Sequence, residues 1–391
     1  MEGDFIKINE SLLPLSWLYG IGVKFRNMLF DIGVLKSRGF DVPVISVGNI
    51  TVGGTGKTPH VEYLVKLLKD DFQVAVLSRG YKRKSKGFVL ADAESRMEDL
   101  GDEPYQMKCK FPEVKVAVDK DRCHGIAMLT DEGNGNNEVD VVLLDDAFQH
   151  RYVKPGINIL LVDYHRLIIY DKLLPAGRLR EPLSGKNRAD IVIVTKCPAD
   201  LRPMEYRVIT KAMNLFPYQK LFFTTLAYGK LKALESGREM ELEGIRKDTH
   251  VLLLTGIASP NQLILDMQPY TPHIHPLTYG DHHPFSDEDF RHINDEFESL
   301  PDPKMIITTE KDATRIYGRE GLSAEVKEKM YILPVNIRFM LDQEEMFNQN
   351  IIGYVRKNSR NSILVKAKDD NKAKDGNHSG NRSRTISFRN H

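Results

Sequence analysis

The chain reads as an α/β protein, a P-loop NTPase-like, doubly wound, mostly parallel sheet followed by a second, smaller α/β domain. Three observations predict this. Six short runs rich in Val, Ile and Leu, at residues 42–47, 74–77, 114–118, 139–144, 157–162 and 191–194, lack polar alternation, as strands buried on both faces do. Between the first two, Val61, Leu64, Val65 and Leu68 recur at the spacing of one helical face. A glycine-rich turn, GNITVGGTGKTP at residues 48–59, joins the first run to that helix, the strand-to-helix setting in which α/β sheets bind ligands.

The bulk numbers agree. At 391 residues, 41% hydrophobic and 28% charged, the chain is large enough for two cores. A formal net charge of +1 gives no global attraction for nucleic acid, and no base-stacking motif is present, so no nucleic-acid partner is expected. Cys109, Cys123 and Cys197 are scattered and form no C-x-x-C, which argues against a zinc site or a disulfide framework and fits a reducing compartment.

Along the chain, the first element is an N-terminal segment, 1–36. It starts MEGDF, acidic where a signal peptide is basic, so export is not expected. Residues 11–23 carry no charge but fall short of the roughly 20 apolar residues a helix needs to span a bilayer. Trp17, Tyr19, Phe25, Met28, Leu29 and Phe30 beside Lys24 and Arg26 give the mixture found in membrane-interface helices; a helix packed on its own core has the same composition.

The loop at 48–59 comes next. In a Walker A loop, glycines let successive backbone N–H groups face phosphate, the following helix adds its positive end, a lysine reaches the β- and γ-phosphates and a hydroxyl holds magnesium. Here Thr51, Val52, Gly53, Gly54, Thr55 and Gly56 form the turn, Lys57 is the cation and Thr58 the hydroxyl. Pro59 suits a first helical turn, where its missing N–H is no loss. The departure is Thr51, where the strict pattern has glycine. That position needs glycine only if its φ is positive, and Gly53 and Gly54 follow closely. The run at 139–144 then ends in Asp145 and Asp146, placed as a Walker B carboxylate pair toward Mg2+. This core occupies 37–218.

A smaller α/β domain is expected over 219–345, from LFFTTLAYG, HVLLLTGIA, KMIITTEKD and YILPVNIRF. From 346 the chain is expected to be a basic, disordered tail: residues 356–391 carry ten Lys or Arg against three Asp and few apolar groups.

In order, GNITVGGTGKTP, SRGYKRKSKG, GDEPYQM, DDAFQHR, LPAGRLREPL, TKCP, GDHHPF and TTEKDA match motifs of the tetraacyldisaccharide 4'-kinases, and residues 11–339 resemble that family. The resemblance implies ATP as cofactor and transfer of its γ-phosphate to the 4'-hydroxyl of a tetraacylated glucosamine disaccharide 1-phosphate, a lipid A intermediate. It also implies a lipid substrate met at the inner-membrane surface, with the protein peripheral on the cytoplasmic face. A sugar hydroxyl attacking a phosphate needs a base, and Asp102 with His282 supply one, the carboxylate orienting an imidazole that accepts the proton. His283 is the open alternative to His282, and GDHHPF alone also reads as a loop before a helix capped by Ser286 and Asp289. Arg180 and Glu181 are placed at the active site by the resemblance; without it they read as a surface ion pair. Gln149 is a candidate polar positioner, whereas His150 and Arg151 read equally as ordinary exposed residues. Lys82, Arg83, Lys84 and Lys86 fall in a hairpin or loop able to cover phosphates, with a solvated turn as the default reading. TTEKDATR, from Thr308, ends a strand with groups able to read a base edge or to cap a helix. The rival function is a membrane-associated P-loop ATPase switch, whose loops carry a second lysine before the paired glycines. Here Val52 stands at that position.

Overall fold

The computed structural model describes residues 6, 8–131, 139–257 and 260–359. The larger sheet is built from β1 (Val44–Gly48), β2 (Val74–Ser78), β3 (Val89–Leu90), β4 (Lys115–Val118), β5 (Val141–Asp145), β6 (Ile157–Asp163), β7 (Ile191–Thr195) and β8 (Lys220–Tyr228). A smaller sheet holds β9 (Leu231–Ala233), β10 (Glu239–Met240), β11 (His250–Thr255), β12 (Ile274–Thr278), β13 (Lys304–Thr309) and β14 (Met330–Leu333), after which β15 (Val335–Phe339) returns to the first. The order across the larger sheet is β15-β8-β7-β6-β1-β5-β2-β4-β3, parallel except where β3 and β15 pair antiparallel at its two edges.

Alternation along β1 shows why the six apolar runs carry no polar period. Ile45 and Val47 enter one core, with Val61, Leu64, Val65 and Leu68 of the helix Lys57–Leu68, while Val44 enters another with Val142 and Leu144. A central strand covered on both faces has no side that favours polar residues. β1 lies between β5 and β6, so the loop after β1 and the carboxylates after β5 emerge side by side at the carboxyl edge of the sheet, where the strand order reverses.

Two of the expected boundaries move. LFFTTLAY and VNIRF, read above as the flanks of the smaller domain, are β8 and β15 of the larger sheet, so the smaller unit runs from 229 to 334 instead of 219–345. Nor is 346 the start of a tail. The helix Glu344–Asn358 buries Phe347, Ile351 and Val355 in the first core, an i, i+4, i+8 stripe that the basic composition around it obscures. The remainder of the expected tail lies outside the described residues.

In the smaller sheet, order β10-β9-β14-β13-β11-β12, the four strands β11 to β14 are parallel. Its edge strand β12 carries Pro276, tolerated where one side needs no ladder partner.

Candidate active site

The loop first. Positive φ falls at Gly53 (115°) and at Gly56 (80°), the left-handed residue that precedes the helix Lys57–Leu68. Thr51 is not among the residues with positive φ; it is buried and bridges Leu179 antiparallel. The position that departs from the strict Walker pattern therefore never enters the region that penalises a Cβ. The Val52 N–H donates to the Arg178 carbonyl at 2.8 Å and the Arg180 N–H to the Ile50 carbonyl at 2.8 Å. Thr51 and Val52, expected among the phosphate donors, thus form a seam between the loop and the segment 178–180. The Thr55 N–H turns back to Gly53 (3.1 Å). Among the described residues no hydrogen bond occupies the amides of Gly53, Gly54, Gly56, Lys57 and Thr58, the row that a helix start leaves open to an anion.

Three buttresses hold that row. Asn49 donates to the Thr55 hydroxyl at 2.9 Å, Thr195 donates to the Thr55 carbonyl at 3.0 Å, and Lys196, paired with Asp163 at 2.8 Å, donates to the Gly54 carbonyl. Burial drives the His60 pKa down to about 4, so its neutral ring donates from Nδ1 to the Gly56 carbonyl (2.7 Å) and accepts from Thr224 at Nε2 (3.1 Å).

Beyond β5, desolvation and then the neighbouring Asp146 and Glu103 carboxylates push Asp145 up to about 6. Ser78 donates to its Oδ2 at 3.3 Å, whereas Oδ1 is buried with no partner. Asp146 sits in left-handed backbone (φ 47°) between Lys57 Nζ at 3.7 Å and Arg180 Nη1 at 3.6 Å. An orphaned carboxylate oxygen beside a second carboxylate is a donor set that suits a hard divalent cation. Arg180 also donates to Gln149 at 3.4 Å, and the Gln149 Nε2 is buried and unpartnered. Glu181 parts from Arg180. It is buried and paired with Arg188 at 2.7 Å, so of LRE only the arginine reaches Asp146, and neither residue is a surface ion pair. His150 is no ordinary surface residue either, since burial, then Arg122, takes its pKa down to about 4.

The third part crosses between the two units. Asp102 begins the helix Asp102–Lys110, after Gly101 (φ 88°), where an added Cβ would stand 2.8 Å from the Tyr81 carbonyl. His282 Nδ1 lies 2.9 Å from Asp102 Oδ2, and Lys311 Nζ lies 3.3 Å from His282 Nε2. The Asp102 carboxylate can only accept, so Nδ1 donates to it, with Arg315 Nη2 also 3.4 Å from Nδ1, and the donor-only Lys311 faces Nε2. Burial opposes ionisation of Asp102, yet the His282 hydrogen bond and the Arg315 charge hold its pKa down to about 2. His283, the next residue, is engaged elsewhere: its Nε2 meets Asp289 at 2.9 Å in the Ser286/Asp289 capping box of the helix Asp287–Ser299. Both nitrogens of His282 therefore have partners within the cluster.

TTEKDATR turns out as a cap, with Thr309 accepting from the Asp312 N–H at the start of the helix Glu310–Ile316. Of the basic run, Lys84 pairs with Glu98 at 2.6 Å and Arg83 donates to the Gly87 carbonyl at 2.6 Å. Lys311, Arg315, Glu103, Lys196 and Asp163 were not singled out from sequence. Asp163 and Lys196 carry a usable signal, since each stands at the carboxyl end of a parallel strand.

Beside the loop, the helix Leu13–Asp31 lies along the segment 173–180. Ser16 donates to the Leu173 carbonyl and accepts from the Ala176 N–H, both at 2.9 Å, and Tyr19 donates to the Arg180 carbonyl at 2.8 Å. Its other face leaves Trp17 72%, Leu18 62% and Phe25 58% exposed. No helix among the described residues is long and apolar enough to cross a membrane.

Comparison with known proteins identifies relatives over nearly the whole chain. Residues 8–356 match the family model for tetraacyldisaccharide-1-P 4'-kinase. The chain is 60% identical over 364 residues to the tetraacyldisaccharide 4'-kinase of Phocaeicola vulgatus, covering 93% of this chain and 99% of that one. It is 53% identical over 378 residues to that of Bacteroides fragilis, covering 95% and 100%. The crystal structure of LpxK from Aquifex aeolicus in complex with ATP superposes with a TM-score of 0.67 at 31% identity, covering 89% of this chain and 99% of that one.

Proposed function

The chain belongs to the tetraacyldisaccharide 4'-kinase family, and from that premise we propose how its loop, carboxylates and Asp102 cluster divide the work. The protein is an ATP-dependent kinase that phosphorylates the 4'-hydroxyl of a tetraacylated glucosamine disaccharide 1-phosphate in lipid A biosynthesis. The amides of Gly53, Gly54, Gly56, Lys57 and Thr58 receive the phosphates, and Lys57 neutralises the β- and γ-groups. Thr58, Asp145 and Asp146 would hold Mg2+, which supplies charge neutralisation at the phosphates when bound. Arg180 steadies Asp146, and Gln149 offers its free Nε2 to the acceptor sugar.

One observation carries the assignment of the base. Asp102 Oδ2 accepts from His282 and Arg315, and among the described residues Oδ1 has no hydrogen-bond partner. Oδ1 meets the 4'-hydroxyl. A carboxylate this acidic is a poor base, but phosphoryl transfer runs through a loose transition state in which the nucleophile needs orientation first and sheds its proton late. His282 orients Asp102 instead of relaying the proton.

The acceptor is a lipid, so its sugar lies at headgroup level. The exposed apolar face of the helix Leu13–Asp31 fits an interface, and the seam through Ser16, Tyr19 and Arg180 ties that face to the phosphate loop. On this reading the protein is peripheral on the cytoplasmic face of the inner membrane. Replacing Trp17, Leu18 and Phe25 by serine is expected to lower sedimentation with anionic liposomes about tenfold or more, given ~1.5–3 kcal/mol per buried large side chain; unchanged recovery removes the membrane assignment. The reaction itself is tested with γ-labelled ATP, Mg2+ and the tetraacyl disaccharide 1-phosphate. Label in the lipid supports the kinase, and label found only as free phosphate overturns it in favour of an ATPase switch.

A further inference from the structure

Asp102 belongs to the larger unit, yet the cation that meets it comes from the smaller one. Arg315 is 4% exposed, and its mounting is rigid: Nη1 donates to Asp312 Oδ1 at 2.9 Å and to the Gly256 carbonyl at 3.3 Å. Asp312, fully buried, is in turn fixed by the Gly256 N–H at 2.8 Å and the Thr309 hydroxyl at 2.7 Å. This ties the ends of β11 and β13 to one guanidinium. From that mount Arg315 sends Nε (2.9 Å) and Nη2 (2.5 Å) to the same oxygen, Asp102 Oδ2, that takes the His282 hydrogen bond.

Three donors on one carboxylate oxygen have a geometric consequence. They fix the rotation of the carboxyl group about its Cβ–Cγ bond and leave the other oxygen as its sole acceptor. A lysine in place of Arg315 offers a point charge and cannot place two coplanar donors on one oxygen.

We propose that Arg315 is a positioning residue for phosphoryl transfer, acting through Asp102: it pins Oδ2 from the smaller unit so that Oδ1 alone meets the acceptor hydroxyl, and only while the two units are apposed. This rests on the reading of Asp102 as the group that meets the hydroxyl.

The test is steady-state kinetics across pH on the full-length protein with ATP, Mg2+ and the lipid acceptor. For Arg315→Gln, kcat is expected to fall about 10²-fold, the lower end of what a positioned acid or base contributes, with KM for ATP within about twofold. Because the arginine charge favours the carboxylate, its loss raises the Asp102 pKa. With Mg2+ saturating, so that the metal keeps the Asp145 carboxylate, itself pushed up to about 6, ionised, activity requires ionised Asp102 and the acid limb of the pH–rate profile moves to higher pH, toward the ordinary carboxylate range near 3.9. A residue that merely holds the fold together would lower rates without moving that limb. Should Arg315→Gln fail to fold, Arg315→Lys carries the test: charge kept and geometry lost predict about a tenfold fall in kcat and an unshifted limb. Wild-type kcat in both variants, or a Gln variant whose pH profile superimposes on wild type, overturns the proposal. Failure of the underlying reading looks different, because Asp102→Asn would then retain full activity.

Discussion

The loop at 48–58 draws its donors from the amides of one continuous segment, whereas the Asp102 cluster draws on three. Those are the helix Asp102–Lys110, the turn at His282 and the helix Glu310–Ile316, the last bringing a partner 213 positions away along the chain. The contrast has a physical origin. Backbone donors can converge on an anion only if the chain that carries them is continuous and can turn through positive φ, as at Gly53 and Gly56, so the loop must be written as a motif. Charged side chains need only meet in space, and each can arrive from a different element. It follows that the loop depends on the β1 turn and the buttresses from Asn49, Thr195 and Lys196 within one unit, while the cluster depends on how the two units sit together.

The sharpest way to break this comparison is at the loop's one charged donor. Lys57→Ala is expected to lower transfer by about 10³-fold, the scale of losing a donor to transition-state charge, and to weaken ATP binding as well. A filter-binding measurement that found wild-type ATP affinity and turnover would remove Lys57 from the site. The cluster predicts a different signature. Asp102→Ala should cut kcat by about 10²–10⁴-fold while KM for ATP stays within about twofold, because the proposed role of the cluster is toward the acceptor hydroxyl. A joint rise in that KM would merge the two regions into one. The smallest effect distinguishes the adjacent histidines. His283→Ala removes the ring that meets Asp289 in a capping box, so it should cost about 1 kcal/mol of stability by thermal unfolding and leave turnover nearly unchanged. Activity lost on His283→Ala and kept on His282→Ala would exchange their roles.

How much of this was legible follows the same line. The α/β class, the loop and the Asp145–Asp146 pair could be read directly because each is contiguous and set on a buried strand. The resemblance singled out Asp102 and His282, but which nitrogen, which oxygen and which histidine depend on Lys311 and Asp289, and no spacing encodes them. Arg315 sits inside TTEKDATR, where the capping signal of Thr309 and Asp312 draws attention away from it. Adjacency in sequence did not show that Glu181 would take Arg188 as its partner while Arg180 turns to Asp146. The boundary at 219 failed because β8 is as apolar as any strand of the smaller sheet, and apolar composition does not say which sheet a strand joins. Backbone strain offers a clue only the structure could give. Asp146, Lys196 and His282 are among the few described non-glycine residues at positive φ, and all three line the site.

β8 and β15 lie antiparallel, and the Gly229 N–H donates to the Pro334 carbonyl at 2.9 Å where the chain leaves and re-enters the larger sheet. Topologically, everything between them is a graft at the tip of a hairpin. A tight turn spliced across that tip would close the hairpin and excise His282 and Arg315 while sparing every strand of the larger sheet. Ancestry and engineering alike then have a simple route between a bare nucleotide-binding scaffold and an enzyme that commits its phosphate to one alcohol.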